Sequence, residues 1–470
     1  MDAAAPPETK PLDHAEARRI VIAMMLPVFM GSLDQTVLAS ALPAIGREFG
    51  NVHDLPWLIT GYLIAATAST PLYGKVSDIR GRRFVLAIAL CAHLAGSLMC
   101  ALAPSMGMLI LGRALQGLGG GGLTSTGMIV LGDVASPKDR ARYYGYFSIT
   151  YTTAGACAPA LGGFLADYLH WSAIFWLSIP LGLTAMVVTL SAMRRLPRHD
   201  RRHRLDVLGA VLIVLATVPF MLALTSGGVR FAWTSGPIVW LFVAAAIVGA
   251  MFVVRLLTAP EPLIPLTILR DPVARSAIAI NSFGWGAIVA LNVYLPVYLQ
   301  DVLAMSATSA GLSLMVLMGV LNASAGLASP LIARHRRYKL VPLIGLAATA
   351  LAVGVLAWLA GNMTFWGFEI LLAVIGIGFG PLPPLTGVAL QNAVALHQFG
   401  IAVGTMNFLR SLSATVLVSI FGAITLKTTN AATSAAEFQT IFLIAAGSLT
   451  VALVAMLLLE ERPLNTSHTR

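Results

Sequence analysis

Asp34 and Arg113 offer the most informative chemistry in this 470-residue sequence, because each interrupts an otherwise apolar run. An ionisable side chain near the middle of a bilayer span costs about 2.5–3.5 kcal/mol on insertion scales, so each one retained is a functional candidate. Asp34 lies fifteen residues beyond Arg19, roughly 22 Å along a helix. Arg113 lies about seven residues into a run that enters from the opposite side, roughly 10 Å deep. The two opposite charges are expected at one level, facing each other across a polar cavity. Burial disfavours a carboxylate and a nearby guanidinium favours it. Moving Arg113, or admitting a cationic solute, would therefore switch the protonation of Asp34. The alternative is a static ion pair that only clamps two helices. Glu369 and Arg410 also fall in apolar runs. For Glu369 the choice is between an interfacial position and a functional one. For Arg410 it is between a contact to backbone carbonyls and a substrate or proton role.

The elements that must hold these residues follow from composition. The chain is 57% hydrophobic and 11% charged, against roughly 45–50% and 25% in an ordinary soluble domain. Such hydrophobicity excludes disorder, and three cysteines exclude a disulfide scaffold. Cys91 and Cys100, nine residues apart on one helix, lie on opposite faces and cannot pair. An all-α polytopic membrane protein remains. Fourteen apolar segments are read at 20–42, 56–73, 84–104, 107–133, 143–166, 172–193, 206–225, 237–257, 276–299, 307–333, 340–360, 365–390, 399–425 and 439–459. Counted over alternate loops and tails, 25 Lys and Arg fall on one side and three on the other, with Arg113 and Arg410 inside spans. This asymmetry predicts an even number of spans with both termini cytoplasmic. The net charge of +10 thus reports topology, and no nucleic-acid partner is expected. The first apolar stretch lacks a small-residue cleavage site and reads as a retained span.

Two compact basic loops, Gly74–Arg83 and Ser329–Tyr338, stand 255 residues apart. At about 32 residues per span, eight spans account for that offset, as two six-helix halves separated by two extra helices would require. The expected organisation is a cytoplasmic tail at 1–19, a first half at 20–193, a basic linker at 194–205 and two inserted helices at 206–257. A cytoplasmic loop at 258–275, a second half at 276–459 and a tail at 460–470 complete it. Repeated halves with a central site are a secondary-transporter architecture. The same offset maps Arg113 onto position 368, beside Glu369.

The loop Gly74-Lys-Val-Ser-Asp78-Ile-Arg-Gly81-Arg82-Arg83 joins two helices by a very short turn. Its glycines permit close helix approach, and Asp78 with Arg82 and Arg83 can form an ion-pair cluster at a helix end. Such a cluster at a cavity mouth can hold one access state and release in another. The loop resembles the signature of the major facilitator superfamily, with Ile79 where an Arg is usual. Leu33-Asp34-Gln35-Thr36-Val37 through Pro43 is similar to the span-1 motif of the fourteen-helix drug:proton antiporter subfamily, the multidrug-resistance-type efflux transporters. Leu111-Gly-Arg113-Ala-Leu-Gln116-Gly117 resembles the span-4 motif, whose Arg is implicated in proton transfer. Ala158-Pro159-Ala-Leu-Gly162-Gly163 resembles the span-5 antiporter motif, and Trp171–Gly182 and Tyr294–Gln300 resemble further motifs near spans 6 and 9. Departures exist: Ala154 and Ala158 replace glycines, Ser172, Ala173 and Ser178 replace Arg, Trp and Asn, and Ala333 stands where the second loop would carry Asp. The second gate is therefore not expected to mirror the first.

The resemblance implies a proton-coupled exporter of small lipophilic or amphipathic compounds, working by alternating access as a monomer in the cell (inner) membrane. The alternative on the same scaffold is a dedicated exporter of one endogenous metabolite, and a non-transporting receptor is a more distant one. Its partners would be a small-molecule substrate, protons and the lipid bilayer, and the sequence names no outer-envelope efflux partner. No enzyme chemistry, cofactor or metal is expected. Gly117-Leu-Gly119-Gly-Gly-Gly122 satisfies a dinucleotide fingerprint literally, yet no strand precedes it. It reads as a helix thinned for close packing. The polar or aromatic residues expected on the cavity wall are Gln35, Gln116, Asn281, Trp285, Asn292 and Asn322, although a helix–helix hydrogen bond serves each asparagine equally well. Trp285 offers a face for a cation or a planar ring.

Overall fold

The computed structural model describes residues 14–38, 41–50, 55–134, 137–195, 206–228, 231–305, 307–334, 339–395, 398–425 and 435–461. Among them the chain is helical, with no strand beyond an isolated bridge between Gly227 and Phe231. In order, the helices are α1 (His14–Val37), α2 (Leu42–Phe49), α3 (Leu55–Arg80), α4 (Arg82–Ala101), α5 (Met106–Val134), α6 (Pro137–Tyr168) and α7 (Ala173–Ala192). Next come α8 (Val207–Ser226), α9 (Gly236–Thr258), α10 (Leu266–Arg270), α11 (Pro272–Asp301) and α12 (Ala307–Arg334). The chain continues through α13 (Leu340–Leu359), α14 (Phe365–Phe379), α15 (Leu382–Ala393), α16 (Phe399–Thr425) and α17 (Ala435–Leu458). Nine helical stretches among the described residues are long and apolar enough to cross a bilayer.

Among the described residues the apolar segments fall largely on helix, with two local differences. The segment expected at 365–390 is broken into α14 and α15. Gly380 is followed by Pro381, Pro383 and Pro384, which remove three backbone donors and interrupt the helical ladder. The short α2 was not anticipated. It carries Pro43 in its first turn and ends on Gly50 at φ 66°, a left-handed stop that glycine favours.

Helices α1 and α3–α7 pack among themselves, chiefly α3 and α4 on α5, α1 on α6, and α7 on α4 and α1. Helices α11–α17 form a second group, with α11 against α15, α16 and α17, and α14 against α12 and α13. Each group encloses its own buried apolar side chains. The groups meet where α3 packs on α16 and α6 on α12. Helices α8 and α9 form a hairpin against α3 and α16. Asp206 caps α8 by accepting from Gly209 N at 3.0 Å and also accepts from Arg255 Nε of α9 at 3.0 Å. Most of α9 is outward-facing, with Trp240, Ile247, Val254 and Leu257 each more than half exposed. Such a surface is matched by hydrocarbon rather than water.

The glycines of α5 explain its close seat. A Cβ on Gly117 would stand 2.3 Å from Tyr62 O, and one on Gly119 2.5 Å from Ala89 O. This agrees with the thinned-helix reading of the Gly117–Gly122 run.

Candidate functional site: a buried ion pair and an inter-helix latch

Asp34, near the end of α1, and Arg113, two turns into α5, meet in the first helix group. Arg113 Nη1 donates to Asp34 Oδ2 at 2.8 Å, and both side chains are dry, at 1% and 0% exposure. Four of the guanidinium's five N–H groups are engaged. Nη1 also donates to Gln116 Oε1 at 2.7 Å, Nε to Leu58 O at 3.1 Å and Nη2 to Asp34 O at 3.4 Å. Gln116, one turn beyond Arg113, donates through Nε2 to Ser97 Oγ at 2.8 Å and to Asp34 Oδ1 at 3.4 Å. The Tyr62 ring lies against the guanidinium, 4.5 Å from its centroid to Cζ. The cluster thus ties α1 and α3 to α5 through one planar cation, a geometry that lysine cannot reproduce, and reaches α4 through Gln116. Because both charges lie in a low-dielectric interior, losing one partner strands the other at high cost. Gln116, expected on the cavity wall, is instead sealed within this cluster.

Beside the pair, Gln35 lies on the next face of α1 and accepts from Tyr151 Oη of α6 at 3.1 Å. Tyr151 is 38% exposed. Across from it on the second group, Arg410 of α16 sits over the Trp285 ring of α11 at 5.6 Å, and Trp285 packs on Phe379 at 5.7 Å. The Trp285 face that was expected to receive a cation from outside is therefore occupied by a residue of the same chain. Asn281 donates to Thr386 Oγ1 at 3.2 Å and so ties α11 to α15. Asn292 and Asn322 donate to carbonyls one turn back, Ile288 O and Met318 O, while keeping partial exposure. Glu369 occupies the first turns of α14, behind the Thr364 cap, and its Oε1 is buried with no hydrogen-bond partner. It forms no ion pair with Arg410 among the described residues. Gly162 and Gly163 lie on α6, the former buried. Pro159 belongs to the same helix, and its side chain lies outside the described residues.

The turn between α3 and α4 builds the second cluster. Gly81 takes φ 87°, the left-handed region that its missing side chain allows. This lets Arg82 fold back onto Asp78 and Ser77 while Nε donates to Asp133 Oδ2 of α5 at 2.7 Å. Asp78 also reaches the second helix group, its Oδ2 accepting from Ile401 N of α16 at 3.0 Å. Burial pushes the Asp78 carboxyl above the ordinary carboxylate range, against the opposing pull of Arg82. Gly74 makes the approach possible, since a Cβ there would lie 2.5 Å from Gly400 O. At the same end, Gln391 Nε2 donates to Gly132 O at 2.6 Å, and α6 and α12 come together at Gly145 and Gly326. Arg83, expected in the ion cluster, is exposed and outside it, because the two carboxylates converge on Arg82 alone. Asp133 and the Ile401 amide escaped the sequence reading. Asp133 could have been flagged as a charge ending an apolar run, whereas a backbone amide carries no sequence signal.

Comparisons with known proteins agree with this architecture. An uncharacterized MFS-type transporter of Mycobacterium tuberculosis (strain ATCC 25618 / H37Rv) is 31% identical over 420 residues, covering 88% of this chain and 60% of that protein. The chain therefore spans under two thirds of that relative's length. Multidrug resistance protein 3 of Bacillus subtilis (strain 168) is 29% identical over 424 residues, covering 89% of this chain and 81% of the relative. The crystal structure of the human organic anion transporter MFSD10 (TETRAN) superposes with a TM-score of 0.70 over 96% of this chain and all of that one, at 15% identity, a likeness of fold. The sequence profile of the Major Facilitator Superfamily matches residues 24–418, and the chain belongs to that superfamily.

Proposed function

We propose that this protein is a proton-coupled exporter of small lipophilic or amphipathic compounds, working by alternating access. The observation that carries this reading is the dry Asp34–Arg113 pair, set directly behind partly exposed Gln35 and Tyr151, the latter within electrostatic reach of Arg410 on the second helix group. A proton arriving at Asp34 Oδ2 removes the charge that holds Arg113 Nη1. The guanidinium then keeps Gln116, Leu58 O and the backbone Asp34 O but loses its charged anchor on α1. Helix α1 becomes free to move relative to α3 and α5, which links protonation to the shape of the cavity. Charge movement supplies the drive, at about 2.3 kcal/mol per charge per 100 mV.

In the same reading the groups 20–193 and 276–459 are the rocking halves, and the Asp78–Ile401 latch closes the cytoplasmic mouth. The present state is then open toward the outside, where Asp34 takes its proton. The membrane is the cell (inner) membrane, with both termini cytoplasmic, and the working unit is a monomer. The name of the Bacillus subtilis relative, multidrug resistance protein 3, supports the export direction. Proteoliposomes loaded with a pH-sensitive dye test the coupling: adding a transported compound should move protons in the opposite direction, and transport without proton movement would overturn it.

A further inference from the structure

Two arginines interrupt the apolar helices, and their situations are opposite. Arg113 is neutralised by Asp34 and holds three further acceptors. Arg410 is half-buried on α16 and has neither a hydrogen bond nor a carboxylate partner among the described residues. Its contacts are the Trp285 ring at 5.6 Å and, within electrostatic reach from α6, Tyr151. A guanidinium held in an apolar setting without a counter-charge is costly, so its retention calls for an anion that the protein itself does not supply.

The surroundings specify the shape of that anion. The half-buried Trp285 ring lies under the guanidinium and backs onto buried Phe379, so an aromatic side chain borders the charge. Tyr151 and Gln35 face it from the other helix group as a hydrogen-bonded pair. Tyr151 lies two residues from the outward-facing Ile149, about 200° around the helix, so its exposed surface opens toward the interior. A planar guanidinium bordered by an aromatic side chain suits a carboxylate or sulfonate carried on a flat ring, with the acid on the fork and the ring against the exposed part of Trp285. A cationic solute would instead meet a like charge over the very ring that would attract it.

We propose that the cargo is a lipophilic compound with a planar aromatic body and one anionic group, docked on Arg410 and Trp285. This rests on reading the space between the helix groups as the cargo site. The probes are 2-naphthoate, 2-naphthamide and 2-naphthylmethylammonium, measured by equilibrium dialysis against the purified full-length protein in detergent. The wild type should bind naphthoate at least about tenfold more tightly than the other two. Arg410→Gln should abolish that preference by weakening naphthoate binding far more than naphthamide binding, and Arg410→Lys should restore part of it. Should Arg410→Gln fail to fold, the Arg410→Lys ratio together with the wild-type ratio carries the test. Equal wild-type affinities for the three probes, or an undiminished preference in Arg410→Gln or Arg410→Lys, would overturn the proposal. Asp34→Asn should keep the preference, so loss of proton coupling and loss of anion recognition are read separately.

Discussion

Arg113 Nη1 and Asp34 Oδ2 stand 2.8 Å apart, with neither side chain retaining more than 1% of its surface. A pair so dry is poorly explained as a stabiliser, since desolvating two charges offsets most of their attraction. Under the proposed function it is a device whose parts separate when a proton replaces the guanidinium on the carboxylate. The neighbours support this reading, because Gln116 and Leu58 O hold Arg113 whether or not Asp34 does.

Removing one charge of the pair should cost far more than removing both. Asp34→Ala should destabilise the protein by about 3–5 kcal/mol, the usual cost of stranding a buried charge. The double variant Asp34→Ala/Arg113→Ala should recover most of that loss. Thermal denaturation in detergent reads both. Arg113→Lys should fold but transport poorly, because an ammonium cannot serve Asp34, Gln116 and Leu58 O from one plane.

Gly117→Ala should loosen the packing of α5 on α3 and shift Tyr62 off the Arg113 guanidinium, since the new Cβ would fall 2.3 Å from Tyr62 O. Overpacking of this kind costs about 1–3 kcal/mol. Gly107→Ala on the same helix meets nothing within 4 Å and should be neutral. Equal melting temperatures for the two variants would contradict the packing account.

Gly74→Val should prevent α3 from closing on α16, because the first added carbon already lies 2.5 Å from Gly400 O. Spin labels on the exposed positions Arg80 and Ala395 would report a longer distance than in the same labelled protein carrying Gly74. An unchanged distance would show that the latch closes by other contacts.

The Asp78 carboxyl is raised by burial in the latched state and would return to its ordinary range once opened to water. The latched state therefore binds a proton more readily, and lowering the pH toward the carboxylate range should favour it. The same pair of labels should show the short-distance population growing from pH 8 to pH 5. Asp78→Asn should remove the component of the shift that comes from this group.

Part of this arrangement was legible in the sequence. Asp34 and Arg113 could be paired because two opposite charges at one depth have few other partners in an apolar medium. The Gly74–Arg83 turn announced itself through glycines and clustered charge, and the Gly117–Gly122 stripe through its run of small residues. Other parts carry no such mark. Tyr62 reads as one more bulky residue in a span, and Leu58 O and Ile401 N are backbone atoms available at any position. Arg83 and Arg82 are equivalent in sequence, and only the direction of the Gly81 turn assigns the carboxylates to one of them. Gln116 looked like a cavity-lining polar residue because a polar side chain in a span has two destinations, and here the ion pair claims it.

The central claim, that Asp34 couples proton movement to transport, is tested most directly by comparing wild type with Asp34→Asn in proteoliposomes under an imposed pH gradient. Both should catalyse counterflow of a transported compound without a gradient, because the asparagine Oδ1 still accepts from Arg113. With the gradient, the wild type should accumulate the compound against its concentration, and Asp34→Asn should only equilibrate it. Gradient-driven accumulation by Asp34→Asn equal to that of the wild type would contradict the account.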